Sequence, residues 1–200
     1  HNEFHADTVG FFGFFECIDD EEVAHALLDA AADWLRAKGM NAMRGPVSPS
    51  TNDECGLLVD AFESPPIVMM PYNPPYYAHL LESYGLVKAK DLYAYSMSRD
   101  DEMSAKIFRV ARIAERRAKA KLRPIHLGDL KAELEHVRKL YGGAWEKNWG
   151  FVPLTDAELD FAAADMKEAV APDCAFFAEV DGEHVGFALA LLDLNQVFRR

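Results

Sequence analysis

Residues 8 to 47 constrain the fold more than any other stretch, because a short apolar run, an amphipathic stretch and a second apolar run follow one another directly. Thr8 to Cys17 is aromatic and apolar, punctuated by Gly10 and Gly13, and reads as a buried strand with a bulge or a close backbone approach. Asp19 or Asp20 then caps a helix whose apolar face is Val23, Leu27, Ala31, Trp34 and Leu35, and Gly39 ends it. Ala42 to Val47 supplies the partner strand. Strand, helix and strand in this order predict an α/β layer, with a sheet that buries a face under its helices.

The rest of the chain continues the alternation. Pro46 and Pro49, with Ser48, Ser50, Thr51 and Asn52, predict a loop that opens a short helix near Asp53. Five prolines between Ser64 and Tyr77 rule out regular pairing and predict a shaped loop. Tyr76 to Tyr84 is a helix ended by Gly85, and Leu86 to Met97 alternates as a last strand of this half. Asp101 to about Lys121 is an amphipathic connector, with Met103, Ile107, Val110 and Ala114 on one stripe and Arg109, Arg112, Arg116 and Arg117 mostly elsewhere. Leu122 to Leu127 is a short strand, and Asp129 caps a helix carrying Leu130, Leu134, Val137, Tyr141 and Trp145. Thr155 with Glu158 forms a capping box for a helix carrying Leu159, Ala163, Met166 and Val170. Cys174 to Val180 and His184 to Leu192 form a hairpin joined by Asp181-Gly182. The expected organisation is 1–98, a basic connector over 99–121, and 122–200.

Charge narrows the partners. The 200 residues carry a net −12, and residues 1 to 98 hold 5 basic and 15 acidic groups, 99 to 123 hold 9 and 4, and 124 to 200 hold 7 and 14. Such a surface repels phosphate backbones, so no nucleic-acid partner is expected, and the basic helix is expected to lie against the acidic halves it joins. No run approaches the ~20 apolar residues of a membrane span, and no signal region opens the chain, so no membrane partner and a cytoplasmic location are expected. Cys17, Cys55 and Cys174 read as reduced core thiols. The first residue His1 and the closing Arg199-Arg200 suggest a fragment.

Four phrases carry a resemblance: His1-Asn2-Glu3-Phe4-His5, Gly10-Phe11-Phe12-Gly13-Phe14-Phe15-Glu16, Tyr72-Asn73-Pro74-Pro75-Tyr76-Tyr77 and Asp193-Leu194-Asn195-Gln196. They resemble a bacterial family with two GNAT-like acyltransferase units. A GNAT unit runs strand, two helices, three strands, helix, strand, helix and final strands. The resemblance therefore implies that 1–98 is the later half of one unit and 122–200 the earlier half of the next. The implied fold is a mixed, mostly antiparallel sheet flanked by helices. It is assembled from the two halves within one chain or by exchange in a homodimer, with residues 184–192 pairing with 8–16.

In working GNAT enzymes a Gly-rich turn holds the diphosphate of an acyl-coenzyme A such as acetyl-coenzyme A. The corresponding turn here, Cys17-Ile18-Asp19-Asp20-Glu21-Glu22, has no glycine and four carboxylates. At ~4 Å each like-charge contact costs ~1 kcal/mol in water and more near a protein surface. The resemblance thus implies an acyltransferase relative whose first unit is a scaffold or small-molecule binding module, with any acyl-coenzyme A held elsewhere in the full-length protein. The alternatives are an active acyl-coenzyme A-dependent N-acyltransferase on a small amine and a structural dimerisation module.

The general acid of the family, a Tyr four residues before the Gly that ends the last helix, falls here on Leu81, which has no proton to give. Tyr76, Tyr77 and Tyr84 either substitute for it or pack a core edge with wet hydroxyls. Glu16 stands at the strand end, where it either accepts a proton or caps. Asn52, Tyr72 and Asn73, directed by prolines, either contact a ligand or brace turns. Trp149, with Trp145, Asn148 and Phe151, either shapes an acceptor pocket or packs. His1 and His5 with Asp7 suit a metal only on a helix, and a frayed terminus reads more simply.

Overall fold

The computed structural model describes residues 1–98, 100–166 and 169–198, the side chains at 127, 166 and 172 excepted. Arg99, Arg199, Arg200 and the Met166 side chain lie outside them. The elements run α1 (Asn2–His5), β1 (Val9–Phe11), α2 (Glu21–Ala37), β2 (Ala42–Arg44), β3 (Val47–Ser48), β4 (Glu54–Cys55), α3 (Tyr77–Ser83), α4 (Ala105–Ala118), β5 (Lys121–Pro124), a 3₁₀ turn (Leu127–Asp129), α5 (Leu130–Trp145), α6 (Asp156–Met166), β6 (Val170–Val180), β7 (Glu183–Leu191) and α7 (Asn195–Phe198). The protein is a mixed α/β chain with three small sheets among the described residues. It divides into two bodies: His1–Tyr93 with Trp149–Val152 and Asn195–Arg200, and Ala94–Asn148 with Pro153–Leu194.

In the first body β1 and β2 pair in parallel, Val9 opposite Ala42 and Phe11 opposite Arg44, with α2 as the crossover. The expected long strand ends early. Gly13 passes so close to the Val47 carbonyl that a Cβ would collide with it, and Phe14 adopts φ 51°. Residues 12–17 therefore leave the ladder after Val47 N–H reaches the Phe12 carbonyl at 2.9 Å. Asp20 caps α2, its Oδ1 accepting from the amides of Glu22 and Val23 at 2.9 and 3.2 Å. Gly39, at φ 81°, turns the chain out of the helix as expected. The core joins α2 and α3 to the 12–17 segment: Phe12, Leu28 and Leu81 form one buried cluster, and Ala24, Tyr77 and Leu80 another, with Phe15 and Leu57 against both.

Two expectations for this body fail. The segment near Asp53 is no helix; β3 and β4 form a two-rung antiparallel ladder, and Asp53 accepts from the Ser50 hydroxyl at 2.7 Å. Leu86 to Met97 is no strand: its alternating side chains find no neighbouring ladder among the described residues, and Val87, Tyr95 and Met97 are exposed. Period-two alternation specifies a strand only where another edge receives it.

The second body is a three-stranded antiparallel sheet, β5-β6-β7, with α5 against β7. Asp181 and Gly182, at φ 52° and 85°, make the tight turn that their sequence predicts. The capping box forms, with Glu158 accepting from the Thr155 amide and hydroxyl at 2.7 Å each and the Glu158 amide returning to the Thr155 hydroxyl at 3.2 Å. Asp129, by contrast, makes no side-chain cap for α5, because the 3₁₀ turn leads the chain in. The expected pairing of 184–192 with 8–16 within one chain is overturned: β7 and β1 belong to different sheets. Cys174 is exposed rather than a core thiol, Cys17 and Cys55 are half-buried, and all three are free. Every residue of α4 is exposed.

Arg123 of β5 organises this body. Its guanidinium holds the buried Glu133 of α5 in a fork at 2.9 and 3.0 Å, donates to Glu179 of β6 at 3.0 Å, and lies 5.0 Å from the ring centre of the fully buried Phe177. Its remaining Nη2–H approaches His184 Nε2 at 2.8 Å. A guanidinium only donates, so that nitrogen accepts, and its 3.2 Å approach to Glu179 is then not a hydrogen bond. Burial works to raise the Glu133 carboxyl, and the Arg123 hydrogen bonds outweigh it and hold it below the usual range. Arg123→Ala leaves a buried carboxylate unpaired, so the expected loss is ~3–5 kcal/mol in urea unfolding. A folded pKa below the unfolded one stabilises above the unfolded value and is lost as pH falls through the folded one. The wild-type acid limb should contain this transition, and Arg123→Ala should remove it.

Candidate functional site

The two tyrosines at the start of α3 clip one residue of the segment that leaves β1. Tyr77 O–H donates to Glu16 Oε2 at 2.8 Å and accepts from the Cys17 amide at 3.0 Å, while Tyr76 O–H donates to the Cys17 carbonyl at 2.9 Å. Pro74 and Pro75 set the entry to α3, and the ring pair stands edge to face at 5.3 Å. The expectation of wet hydroxyls is therefore corrected: both are used on the backbone of Cys17. Burial first, and then the Glu16 carboxylate, raise the Tyr77 phenol above its usual value. Glu16 itself is exposed, at the mouth of the turn.

Immediately beyond lies the N-terminus of α2. Its free amides are an anion site in principle, but the Asp20 carboxylate fills two of them, and Asp19, Glu21 and Glu22 surround it, all exposed. Glu21 also takes His79 Nε2 of α3 at 3.0 Å. The positive end of the helix dipole is thus answered from within the chain. Burial, and then Asp20, raise the Cys17 thiol, so at neutral pH it stays protonated and is no nucleophile. What this rim offers chemically is negative charge beside a fixed phenol–carboxylate pair, a setting for a cation or a protonated amine.

A second cluster brings Asn52 and Trp149 together. Three successive carbonyls of the 149–152 segment are each held by a side chain from the first part of the chain. Thr51 Oγ1 donates to Gly150 at 2.6 Å, His5 Nε2 to Phe151 at 2.6 Å, and Asn52 Nδ2 to Val152 at 2.9 Å. Arg44 lies over the half-exposed Trp149 ring at 5.0 Å and near Phe11 at 5.9 Å. Phe4 meets the buried Phe151 edge-on at 5.6 Å. His5, Arg44 and Thr51 were not singled out for this role by the sequence, which shows no signal for partners about a hundred residues away. His5 does end a helix that His1 precedes as N-cap, their rings 4.3 Å apart, but its Nε2 is turned to the Phe151 carbonyl, and Asp7 takes His1 at 3.2 Å. Among the described residues no group of three or more such side chains could hold a metal ion.

The remaining candidates separate. Asn73 is buried, its Oδ1 accepting from the Leu58 amide at 2.8 Å and its Nδ2 donating to the Leu58 and Pro74 carbonyls at 3.2 and 3.0 Å, so it braces the loop. Tyr72 is exposed and lines an open recess of about 420 Å³ with Phe62, Ser64, Asn195 and Phe198. Asn195 Nδ2 fixes one wall through the Pro66 carbonyl at 2.8 Å.

These sites sit on an α/β chain in which no helix among the described residues is long and apolar enough to cross a membrane. No family model matches the sequence, and no solved structure matches it. The chain is similar to Protein YghO of Escherichia coli (strain K12), 34% identical over 196 residues, which cover 98% of this chain and 50% of that protein. It is also similar to the Bacterial ceramide synthase of Caulobacter vibrioides (strain NA1000 / CB15N), 35% identical over 193 residues, which cover 94% of this chain and 48% of that protein. The chain spans about half the length of the curated relatives it matches.

The tyrosine clip gives a direct test. Tyr77→Phe removes two hydrogen bonds and leaves the Cys17 amide without its partner, for an expected loss of ~1–3 kcal/mol in equilibrium unfolding, whereas Tyr76→Phe should cost about 1 kcal/mol. Because the folded Tyr77 pKa lies above the unfolded one, its contribution is whole below the unfolded value near ~10 and is lost as pH rises through the folded value. Stability of the wild type should therefore fall at alkaline pH more than that of Tyr77→Phe.

Proposed function

We propose that this chain is part of a GNAT-like N-acyltransferase that joins an acyl group to the amino group of a long-chain, lipid-like amine. Within it, residues 1–93 act as scaffold and acceptor-side wall. The observation that carries the reading is the similarity, over 94% of the chain, to the protein called bacterial ceramide synthase. A ceramide is the amide of a fatty acid and a long-chain amino alcohol. A synthase of that name forms an amide on an amine, the reaction class that the GNAT resemblance implies.

The order of elements supports it. β1, α2 and β2 follow the strand, helix and strand of a later GNAT half, and β5, α5, α6 and the β6–β7 hairpin follow the opening of another. The turn between β1 and α2 does not fit the diphosphate of coenzyme A: Asp20 fills its amides, and three further carboxylates stand beside it. The donor is therefore held by other parts of the full-length protein. The same carboxylates favour the opposite partner. A long-chain amine arrives protonated at neutral pH, and the Glu16 and Asp19–Glu22 rim draws it in. In this reading Glu16, whose carboxylate accepts from the Tyr77 hydroxyl, takes up the ammonium proton, and the freed amine then attacks the acyl thioester, breaking its C–S bond and expelling coenzyme A as the thiol.

Two measurements test this. Calorimetric titration of residues 1–200 with coenzyme A and acetyl-coenzyme A should show no micromolar binding; such binding would remove the scaffold role. The full-length protein, given a fatty acyl-coenzyme A and long-chain amino alcohols, should form the amide by mass spectrometry, and Glu16→Gln should lower the rate. Absence of any amide across amines of all chain lengths would sink the acyltransferase reading.

A further inference from the structure

We propose that α4 is an interfacial helix that seats the protein on an anionic lipid surface. Its sequence sets an apolar stripe against a row of arginines across the axis. At 3.6 residues per turn, Ile107, Val110, Ala111, Ala114 and Ala118 fall on one stripe, and Arg109, Arg112 and Arg116 fall opposite it; Met103 precedes the N-cap Ser104 and lies outside the helix. Lys106 and Arg117 border the stripe, while Phe108 and Ile113 stand further round, at the flanks of the cationic face.

The stripe is not covered. Every residue from Asp101 to Lys119 is exposed, including Met103, Ile107 and Val110 at 41%, 52% and 54%. A helix with an apolar side ordinarily owes its stability to burying that side, so a stripe that its own body leaves bare points to a partner beyond that body. The cations point to the kind of partner. From Ala105 to Lys119 there are Lys106, Arg109, Arg112, Arg116, Arg117 and Lys119 against the single acid Glu115, in a chain of net charge −12. Among the described residues none of these six has an ion-pair partner.

An anionic bilayer surface satisfies both faces at once. Headgroup phosphates meet Arg109, Arg112 and Arg116, the stripe sinks to the acyl boundary, and Lys106 and Arg117 lay their stems along it with the charges outward. A nucleic acid would engage the cations and leave the stripe wet. The absence of a membrane-spanning helix bears only on insertion, because an interfacial helix spans nothing. The inference stands on the geometry of α4 and does not need the proposed reaction, although a long-chain amine would be found at such a surface.

Flotation of residues 1–200 with vesicles tests it, phosphatidylcholine alone against phosphatidylcholine with phosphatidylglycerol. The protein should float with the anionic vesicles only, less so as salt is raised. Arg112→Gln with Arg116→Gln should lower that partition roughly 30-fold, and Val110→Asp by roughly tenfold or more. No residue of α4 is buried, so these variants should keep the wild-type circular dichroism. Amide exchange over 101–119 should slow on anionic vesicles. The proposal falls if the chain ignores those vesicles or if the variants bind them unchanged. It falls too if Val110→Asp splits a dimer seen by sedimentation, or if duplex DNA is bound and vesicles are not. Failure of the full-length protein to float would assign the stripe to the other half of that protein and equally overturn it.

Discussion

The first body depends on how one residue is held. Tyr76 and Tyr77 take both polar groups of Cys17, the carbonyl and the amide, at the point where the chain has left β1 and has not yet entered α2. That segment carries Phe12 and Phe15 into the core between α2 and α3, and it has no ladder of its own. Two phenols do what a neighbouring strand would otherwise do. Because they sit at the start of α3, the same contacts bring the Glu16 carboxylate and the acidic turn to one edge. Packing and the chemistry of the rim thus share a single support.

Much of the local structure was legible because it rests on residues close in sequence. The Thr155–Glu158 box, the Asp181-Gly182 turn, the Asp20 cap and the Gly39 stop each need only a few neighbouring residues, and each is present. Where the outcome turned on a distant neighbour, sequence pattern misled. Thr8 to Cys17 has strand composition throughout, yet Gly13 meets Val47 and the ladder stops at Phe11. Leu86 to Met97 has strand alternation without a strand beside it among the described residues. Tyr76 and Tyr77 were recognisable as candidates, but that Cys17 would claim their hydroxyls was not, since the partner lies about sixty residues away. Asn52 and Trp149 were each singled out, but their meeting through the 149–152 carbonyls was beyond any local signal.

Electrostatics divides the work of the chain. The second body uses charge inward: Arg123 neutralises Glu133 and Glu179 and shields Phe177, so the ions there serve packing. At the α2 entrance charge faces outward, where it selects the sign of whatever approaches. α4 carries the reverse sign on a wholly exposed surface. A chain whose total is strongly negative therefore presents two local fields of opposite sense, and its net charge alone would hide both.

The grip of Thr51, His5 and Asn52 on residues 150–152 has a topological consequence. The backbone leaves the first body after Tyr93, returns for Trp149–Val152, departs again, and comes back at Asn195. The bodies are consequently interleaved rather than strung in series. No single scission yields both intact, and a truncation after the first ninety-odd residues would release a fragment lacking the strap that meets Phe4 and Arg44.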